Sequence, residues 1–274
     1  MLPSGDIYSS ARLAAGYAFA RPPVHPRIIA LVAAHETFGS RHVARALDVG
    51  CGAGRSTAAL AALADMVVGI EPAAGMLAYR HTVAPGAAFV VGRAENLPFA
   101  DASFHLLTAA GVLNYTDRTR SLAEIARVRA PAGVLVIYDF SCGRRCREAP
   151  LDAWFHAFES RYPFPPGYAM DVQALDYAHA GLRLAAFEPF DIDLPLTLEE
   201  YLAYALSEAN VERAIRSGVP ETDIRTWCRR SLASVFGSST LSVLFGGYIA
   251  YVVGAHEHAS SRPTSLNQPR RQPE

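Results

Sequence analysis

The sequence predicts an α/β protein built on a doubly wound, mostly parallel sheet of seven strands, with helices on both faces. Three observations lead to this fold class: short apolar runs alternate with helical patterns, the first run ends in a glycine-rich turn, and the connections are short. Strands that are buried on both faces need such nearly continuous apolar runs. Hydrophobic residues make up 51% of the chain and charged residues 19%, so a substantial core can form.

The regular part of this alternation lies in residues 45–140. The apolar runs predict strands at residues 45–50, 66–71, 87–92, 104–111 and 133–140. Helical patterns predict helices at residues 55–64, 73–83 and 118–128. In the last of these, Leu122, Ile125 and Val128 share one face. The short connections favour right-handed crossovers between parallel strands.

Two segments lie outside the alternation. Residues 1–44 contain two helical stretches separated by a proline-rich break, which predicts a helical N-terminal cap. The core domain then extends over residues 45–255, with a helical lid insertion at about residues 197–237. Residues 150–170 are rich in aromatic side chains, and the segments that follow predict a helix at residues 172–181, a strand at 187–195, lid helices at 198–209 and 221–236, and a last strand within 241–255. The polar residues 256–274 are expected to be disordered.

Composition excludes several classes of function. A formal net charge of −1 gives no general attraction to nucleic acid, so no nucleic-acid partner is expected. No signal peptide and no apolar stretch of membrane-spanning length are visible, which predicts a cytoplasmic protein without membrane contact. Cys142 and Cys146 form an isolated C-x₃-C pair, and with Cys51 and Cys228 they are expected to be reduced thiols rather than metal ligands.

The glycine-rich turn and one acidic residue indicate the ligand class. Gly50, Gly52 and Gly54 follow the first strand, and their spacing allows a nucleoside to approach the backbone but lacks the dinucleotide fingerprint. A purely structural turn is the alternative. Glu71 ends the second strand, where a carboxylate can accept hydrogen bonds from both ribose hydroxyls of an adenosine cofactor. Its alternative role is to complement the dipole of the next helix.

Four segments in order resemble a known family. "LDVGCGAGRST", "GIEPAAGML", "GRAENLPFADASFHLLTA" and "ARVRAPAGVLVIYDF" are similar to the successive motifs of class I S-adenosylmethionine-dependent methyltransferases. The branch they resemble most is that of ubiquinone and menaquinone biosynthesis, with its small-molecule relatives. The resemblance covers residues 45–140 well and 17–26 weakly. It implies a Rossmann-like fold, S-adenosyl-L-methionine as cofactor with S-adenosyl-L-homocysteine as product, and a small organic methyl acceptor.

The resemblance also implies roles for individual residues. The implied cofactor-binding residues are Asp48 and the backbone of Gly50, Cys51, Gly52 and Gly54 for the methionine moiety, Glu71 for the ribose, Pro72, Met76, Arg93 and Ala94 for the adenine, and Ala110 beside the methionyl group. Two positions depart from the family pattern. Position 93 is commonly an acceptor residue, whereas Arg93 can only donate, so Glu95 becomes the candidate acceptor. His105 replaces a mostly structural Asp, and we expect a packing or hydrogen-bonding role for it.

Methyl transfer needs alignment of the acceptor more than a dedicated catalyst, and a base only where the acceptor loses a proton. Tyr115 and Asp139 are the catalytic candidates, and packing or strand-end capping is the alternative for each. Tyr17 and Arg21 of the cap are expected to close over the cofactor carboxylate, helix packing and surface charge being their alternatives. The substrate candidates are Asn114, Trp154, Tyr204 and Trp227; the alternatives are a turn role for Asn114 and packing in the core for the three aromatic residues. We expect His25 to be a solvated or hydrogen-bonded histidine.

The function predicted from the sequence is methyl transfer to a small, apolar or aromatic acceptor, with an oxygen, nitrogen or carbon atom methylated. One alternative is a catalytically inactive cofactor-binding or regulatory protein on the same fold. A second alternative is a methyltransferase of tRNA or protein. The chain is expected to be a monomer or a homodimer.

Overall fold

The computed structural model describes residues 7–164 and 170–257. The strands of this part of the chain are β1 (Val43–Val49), β2 (Ala64–Glu71), β3 (Ala88–Val91), β4 (Phe104–Ala110), β5 (Arg129–Phe140), β6 (Arg145–Cys146), β7 (Leu182–Leu196) and β8 (Leu241–Gly254). They form one sheet in the order β3-β2-β1-β4-β5-β8-β6, with β7 also paired to β8. Strands β1 to β5 are parallel, and β8 is antiparallel to its neighbours.

The predicted fold class is confirmed, with one addition. Seven of the strands correspond to the seven that the apolar runs predict, and the eighth, β6, has two residues that pair with Leu244 and Val243 of β8. The order of the sheet reverses at β1, which lies between β2 and β4. In open α/β sheets a ligand binds outside the carboxyl ends of the strands at such a switch point.

The helices of the described residues are α1 (Ala11–Phe19), α2 (Val24–Ala34), α3 (Arg55–Leu60), α4 (Arg80–Val83), α5 (Arg118–Val128), α6 (Leu151–Arg161), α7 (Leu198–Leu206), α8 (Ala209–Arg216) and α9 (Glu221–Phe236). Helix α5 has its predicted bounds, and Asp117 caps it by accepting a hydrogen bond from the Arg120 amide. Helix α7 begins with a capping box between Thr197 and Glu200.

Four helix predictions need correction. The helix predicted at residues 55–64 ends at Leu60, and Ala64 already begins β2. Residues 73–83 form a 3-10 helix (Ala74–Tyr79) followed by the short α4. Residues 172–181 form two 3-10 turns instead of one helix. The first lid helix ends at Leu206, and a separate helix α8 follows it. The tail that is predicted to be disordered lies, from residue 258 onward, outside the described residues.

Two clusters of buried side chains fill the two faces of the sheet. One includes Ile28 and Val32 of α2 together with the lid residues Tyr201 and Leu232. The other includes Leu122 and Ile125 of α5, which pack on strands β1, β4 and β5. The cap and the lid therefore belong to the same layer, and they lie on the face opposite α5. This shared layer brings residues from both ends of the chain to one edge of the sheet.

Candidate active site

A large cavity opens at the carboxyl ends of β1, β2, β4 and β5. Its volume is about 1250 Å³, more than a single drug-sized ligand needs, so it can hold a cofactor and an acceptor together. Its wall is formed by the turn after β1, the loops after β2 to β5, the cap residues Tyr8 to His25, and two side chains from the lid and β8, Tyr204 and Phe245.

The three glycines of the turn have different reasons to lack a side chain. All three have positive φ: 66° at Gly50, 53° at Gly52 and 93° at Gly54. A Cβ on Gly50 would collide with the Val112 side chain, and one on Gly54 would lie 3.1 Å from the Phe89 ring. A Cβ on Gly52 would meet only the Met76 methyl, at 3.7 Å. Only Gly52 therefore faces open space, where a ligand can lie against the backbone.

Glu71 fixes this turn and faces the cavity. Its Oε2 accepts a hydrogen bond from the Gly52 amide at 3.0 Å, and its Oε1 accepts one from the Ala73 amide at 2.9 Å. Burial raises the pKa of the carboxyl group, and the two amide bonds oppose that rise. Each carboxylate oxygen keeps a second lone pair, so ribose hydroxyls can still donate to it. Both interpretations of Glu71 therefore fit, since Ala73 begins the following 3-10 helix.

Asp48 lies beneath the turn rather than on the cavity. It is fully buried, and its carboxylate accepts hydrogen bonds from Ser56 Oγ at 2.6 Å, Thr57 Oγ1 at 2.7 Å and Thr108 Oγ1 at 2.8 Å. These three bonds tie the end of β1 to the start of α3 and to β4. The structure thus gives Asp48 no surface for the methionine moiety, and its place indicates that it supports the turn from below.

The residues that the resemblance assigns to the adenine come together beyond Glu71. Pro72, Met76, Arg93, Ala94 and Glu95 all line the cavity. Arg93 is exposed, and its guanidinium lies 3.3 Å from the Glu95 carboxylate. The same Glu95 oxygen also accepts a hydrogen bond from the Asp117 amide at 3.1 Å.

The ends of β4 and β5 bring the candidates for the methyl-transfer centre together. Ala110, Asn114, Tyr115 and Asp139 all line the cavity. Asn114 Oδ1 is buried and has no hydrogen-bond partner within the described residues. Asp139 accepts a hydrogen bond from the Phe140 amide at 2.8 Å, and burial raises the pKa of its carboxyl group. A ligand group that donates hydrogen bonds can satisfy both side chains.

The cap and the lid meet at Arg21. Its Nη1 donates to Glu208 Oε1 at 2.8 Å and its Nη2 donates to the Ser207 carbonyl at 3.1 Å. The guanidinium carbon lies 4.1 Å from the centre of the Tyr17 ring and 5.3 Å from that of the Tyr204 ring. Tyr17 and Arg21 do line the cavity, but the charge of Arg21 is already paired with the lid.

Two of the substrate candidates lie elsewhere. Tyr204 lines the cavity, and its hydroxyl accepts a hydrogen bond from the Gly143 amide at 3.3 Å. Trp154 and Trp227 are absent from the cavity wall, and their rings stack on each other with centroids 6.1 Å apart. The Trp154 indole also donates to Ser231 Oγ at 2.8 Å, which satisfies its polar atom inside the lid. Their placement corrects the substrate assignment: both tryptophans pack the lid onto α6.

Tyr8, His25, Phe140 and Phe245 line the cavity but were not site candidates from the sequence. His25 lines the cavity as well as a shallow groove beside it, and its Nδ1 lies 2.9 Å from the Tyr138 hydroxyl. Tyr138 is fully buried near the end of β5, where its hydroxyl needs a partner. A tyrosine in an apolar strand therefore signals that a polar side chain must lie beside it, but the sequence does not say which residue this is.

With this geometry in hand, comparison with known proteins identifies a related domain. Residues 47–137 match the family model described as "Methyltransferase domain". A demethylmenaquinone methyltransferase of Beutenbergia cavernae is 33% identical over 151 residues, which are 54% of this chain and 62% of that protein. The O-methyltransferase rstn1 of Aspergillus nomiae is 34% identical over 131 residues, 45% of this chain and 58% of that protein. The matches thus span less than two thirds of either relative.

A solved structure agrees over most of the chain. A provisionally assigned type II methyltransferase from Anaeromyxobacter dehalogenans superposes with a TM-score of 0.61, covering 84% of this chain and 95% of that one at 22% identity. This likeness confirms the Rossmann-like fold. In residues 7–164 and 170–257 no helix is both long and apolar enough to cross a membrane. The same residues contain no group of three or more His, Cys, Asp or Glu side chains arranged to hold a metal ion.

Proposed function

We propose, from the match of residues 47–137 to the methyltransferase-domain family model, that this chain transfers a methyl group from S-adenosyl-L-methionine to a small organic acceptor. The observation that carries the proposal is the pairing of Glu71 with the Gly52 amide at the mouth of the cavity. Together they offer a carboxylate for two ribose hydroxyls and a stretch of bare backbone beside it.

The described residues offer contacts for the ribose, the adenine and the chain of the methionine moiety. Glu71 would bind the ribose, the backbone at Gly52 would lie along the methionine moiety, and Pro72 with Met76 would contact the adenine. Glu95 rather than Arg93 would accept a hydrogen bond from the adenine amino group. Asp48 would act only through the turn that it supports, which revises the direct contact implied by the resemblance.

The bound cofactor supplies an electrophilic methyl group on a sulfonium, so the protein mainly has to align the acceptor and exclude water. Asp139 would receive a proton from an acceptor that loses one, because burial raises the pKa of its carboxyl group and the group lies on the cavity. Asn114 would orient the acceptor through its unpartnered oxygen. The cap residue Tyr17 and the lid residue Tyr204, which line the cavity, would exclude water from the reacting groups.

The acceptor side of the cavity supports an apolar or aromatic molecule. Phe140, Tyr204 and Phe245 contribute aromatic walls there, and the volume left beside a nucleoside cofactor is large. One relative is named for demethylmenaquinone and another is named as an O-methyltransferase, which agrees with a small-molecule acceptor. Cytoplasmic location, a monomeric or homodimeric state and the lack of a nucleic-acid partner remain predictions.

The test is turnover. The purified chain is incubated with methyl-labelled S-adenosylmethionine and a library of small phenols, amines, carboxylates and compounds with acidic C–H bonds. Parallel incubations contain tRNA or protein as the acceptor. Labelled products are identified by mass spectrometry. We expect a labelled small molecule with an apolar or aromatic body. Label in tRNA or protein would favour the macromolecular alternative. Cofactor binding without any product would favour an inactive binding protein on this fold.

A further inference from the structure

The inner wall of the cavity is a row of three aromatic rings with one imidazole at its end. The His25 ring lies 5.4 Å from the Phe140 ring, Phe140 lies 6.5 Å from Phe245, and Phe245 lies 5.9 Å from Tyr204. All four residues line the cavity. They come from the cap, the end of β5, the lid and β8, so the wall exists only in the folded chain.

The imidazole is held in one orientation. Its Nδ1 lies 2.9 Å from the Tyr138 hydroxyl, and it meets the Tyr138 and Phe140 rings edge to face. Tyr138 is fully buried, and its hydroxyl has no other hydrogen-bond partner within the described residues. A buried hydroxyl that donated to nothing would be costly, so Tyr138 donates to Nδ1.

This hydrogen bond fixes the tautomer of His25. When Nδ1 accepts, the ring proton of the neutral imidazole sits on Nε2, which becomes a hydrogen-bond donor. Burial, together with the positive charges of Arg55 and Arg21, lowers the pKa of His25 to about 3, so the ring stays neutral near pH 7. In the described part of the chain Nε2 has no partner of its own.

The charges around the imidazole favour an electron-rich ligand. Arg21 is paired with Glu208, whereas Arg55 has no carboxylate partner in residues 7–164 and 170–257 and donates to the Ala18 carbonyl at 3.1 Å. The Arg55 Nε is buried and lacks a partner. A positive potential with a neutral N–H donor suits an oxygen with lone pairs or partial negative charge, and it disfavours an ammonium group.

We propose that His25, held by Tyr138, is the specificity-determining donor of an acceptor subsite that takes an apolar aromatic ring carrying a hydroxyl or other oxygen. This proposal deepens the proposed function and rests on it. The aromatic wall contacts the ring, and the Nε2–H binds its oxygen. Tyr138 acts only through His25 and is a positioning residue.

Binding of three matched probes to the full chain, saturated with S-adenosylhomocysteine, tests the proposal without turnover. The probes are 4-tert-butylphenol, tert-butylbenzene and 4-tert-butylbenzylamine, which carry a hydroxyl, no polar group and an ammonium group on the same apolar body. We expect the phenol to bind about tenfold more tightly than tert-butylbenzene, the scale of one hydrogen bond, and the amine to bind most weakly.

Variants assign the preference to the imidazole. His25→Phe keeps a ring but removes the donor, so the preference for the phenol should fall to within about twofold, whereas His25→Gln keeps an N–H and should retain part of it. Tyr138→Phe should weaken the preference without removing it. His35→Phe is the matched control, because His35 lies at the other end of α2 and also contacts a strand tyrosine, Tyr251, but is absent from the cavity wall. It should bind all probes as the wild type does.

The outcomes distinguish a failure of the proposed function from a failure of the acceptor subsite alone. If the chain does not bind S-adenosylhomocysteine, the proposed function itself fails. If it binds that ligand but the phenol shows no binding, the amine is preferred, or His25→Phe keeps the phenol preference, this inference is overturned while the proposed function stands.

Discussion

At the scale of single residues, Glu71 holds the glycine turn and is also the carboxylate that the proposed function assigns to the cofactor ribose. It accepts hydrogen bonds from the amides of Gly52 and Ala73, and it faces the cavity. The amides hold the carboxylate in place before a ligand arrives, so a ligand that donates to it loses little freedom of the side chain on binding.

Glu71→Gln should therefore weaken cofactor affinity by about 1.5–3 kcal/mol, the scale of hydrogen bonds to a charged group, because the amide keeps only one acceptor oxygen. Glu124→Gln is the matched control, since the Glu124 carboxylate also accepts a backbone amide, that of Leu97, but lies off the cavity wall. Calorimetric titration with S-adenosylhomocysteine measures both. Equal affinity of the two variants would reduce Glu71 to a support of the turn.

Asp139 should show a conflict between stability and function. Burial raises the pKa of its carboxyl group above that of the unfolded chain, so ionisation favours unfolding. The destabilisation is absent at pH values below the pKa that Asp139 has in the unfolded chain. It grows as the pH rises through the higher pKa that Asp139 has in the folded protein.

Asp139→Asn should thus raise the melting temperature at pH 7 and leave it nearly unchanged at pH 4, while turnover falls. Asp101→Asn, an exposed carboxylate, is the control and should shift the melting temperature little at either pH. Thermal melts at the two pH values decide the point. A melting temperature that falls at pH 7 would mean that the ionised carboxylate stabilises the fold.

The glycine turn shows what single residues in the sequence can and cannot reveal. The spacing of the three glycines predicts a tight turn at a ligand site, and the positive φ angles agree. Gly50 and Gly54 lack a side chain because side chains from other segments lie against them, Val112 against Gly50 and Phe89 against Gly54. Asp48 is misassigned for the same reason, because Thr108, which helps to bury it, comes from another strand.

At the scale of elements, two arginines of the cap bind the junction of the lid helices α7 and α8. Arg12 donates to Glu212 at 2.8 Å and to the Leu206 carbonyl at 2.9 Å, and Arg21 makes the same pair of contacts with Glu208 and Ser207. The carbonyls at the end of α7 are thereby satisfied by side chains from the cap. These contacts lie where the predicted first lid helix is interrupted, between α7 and α8.

Removal of one arginine should open this junction. The Glu208 side chain is 7% exposed, so Arg21→Met leaves a buried carboxylate without its partner and should cost about 3–5 kcal/mol of unfolding free energy. Arg229→Met breaks the exposed pair with Glu199 and should cost about 1 kcal/mol or less. Denaturant titrations compare the two. Arg21→Met combined with Glu208→Leu should recover part of the loss, and equal costs of the two single variants would contradict the interpretation.

Short polar side chains explain the other missed helix. Asp171 accepts a hydrogen bond from the Gln173 amide, and Asp176 accepts one from the His179 amide. Each aspartate starts its own turn and competes with a continuous helix over residues 172–181. The apolar pattern alone does not show which of these local bonds forms.

At the scale of the whole molecule, the alternation of apolar runs and helices was enough to predict the sheet, because each run had to be buried on both faces. The half of the cavity that the proposed function assigns to the cofactor was also predictable, since its residues follow the strand ends in order along residues 48–115. In the other half, Asn114 and Tyr204 were candidates from the sequence, whereas His25 and Phe245 were not. His25 and Phe245 are separated by most of the chain and meet Tyr204 because cap and lid share one layer. Trp154 and Trp227, equally aromatic, pack inside that layer.

Calorimetric titration of the purified chain with S-adenosylhomocysteine, NAD and ATP tests the central claim most directly, because it asks what the cavity at the switch point binds. The account predicts saturable binding of S-adenosylhomocysteine, with NAD and ATP at least about a hundredfold weaker, or roughly 2.7 kcal/mol. Tighter binding of NAD or ATP, or no binding of S-adenosylhomocysteine, would contradict it.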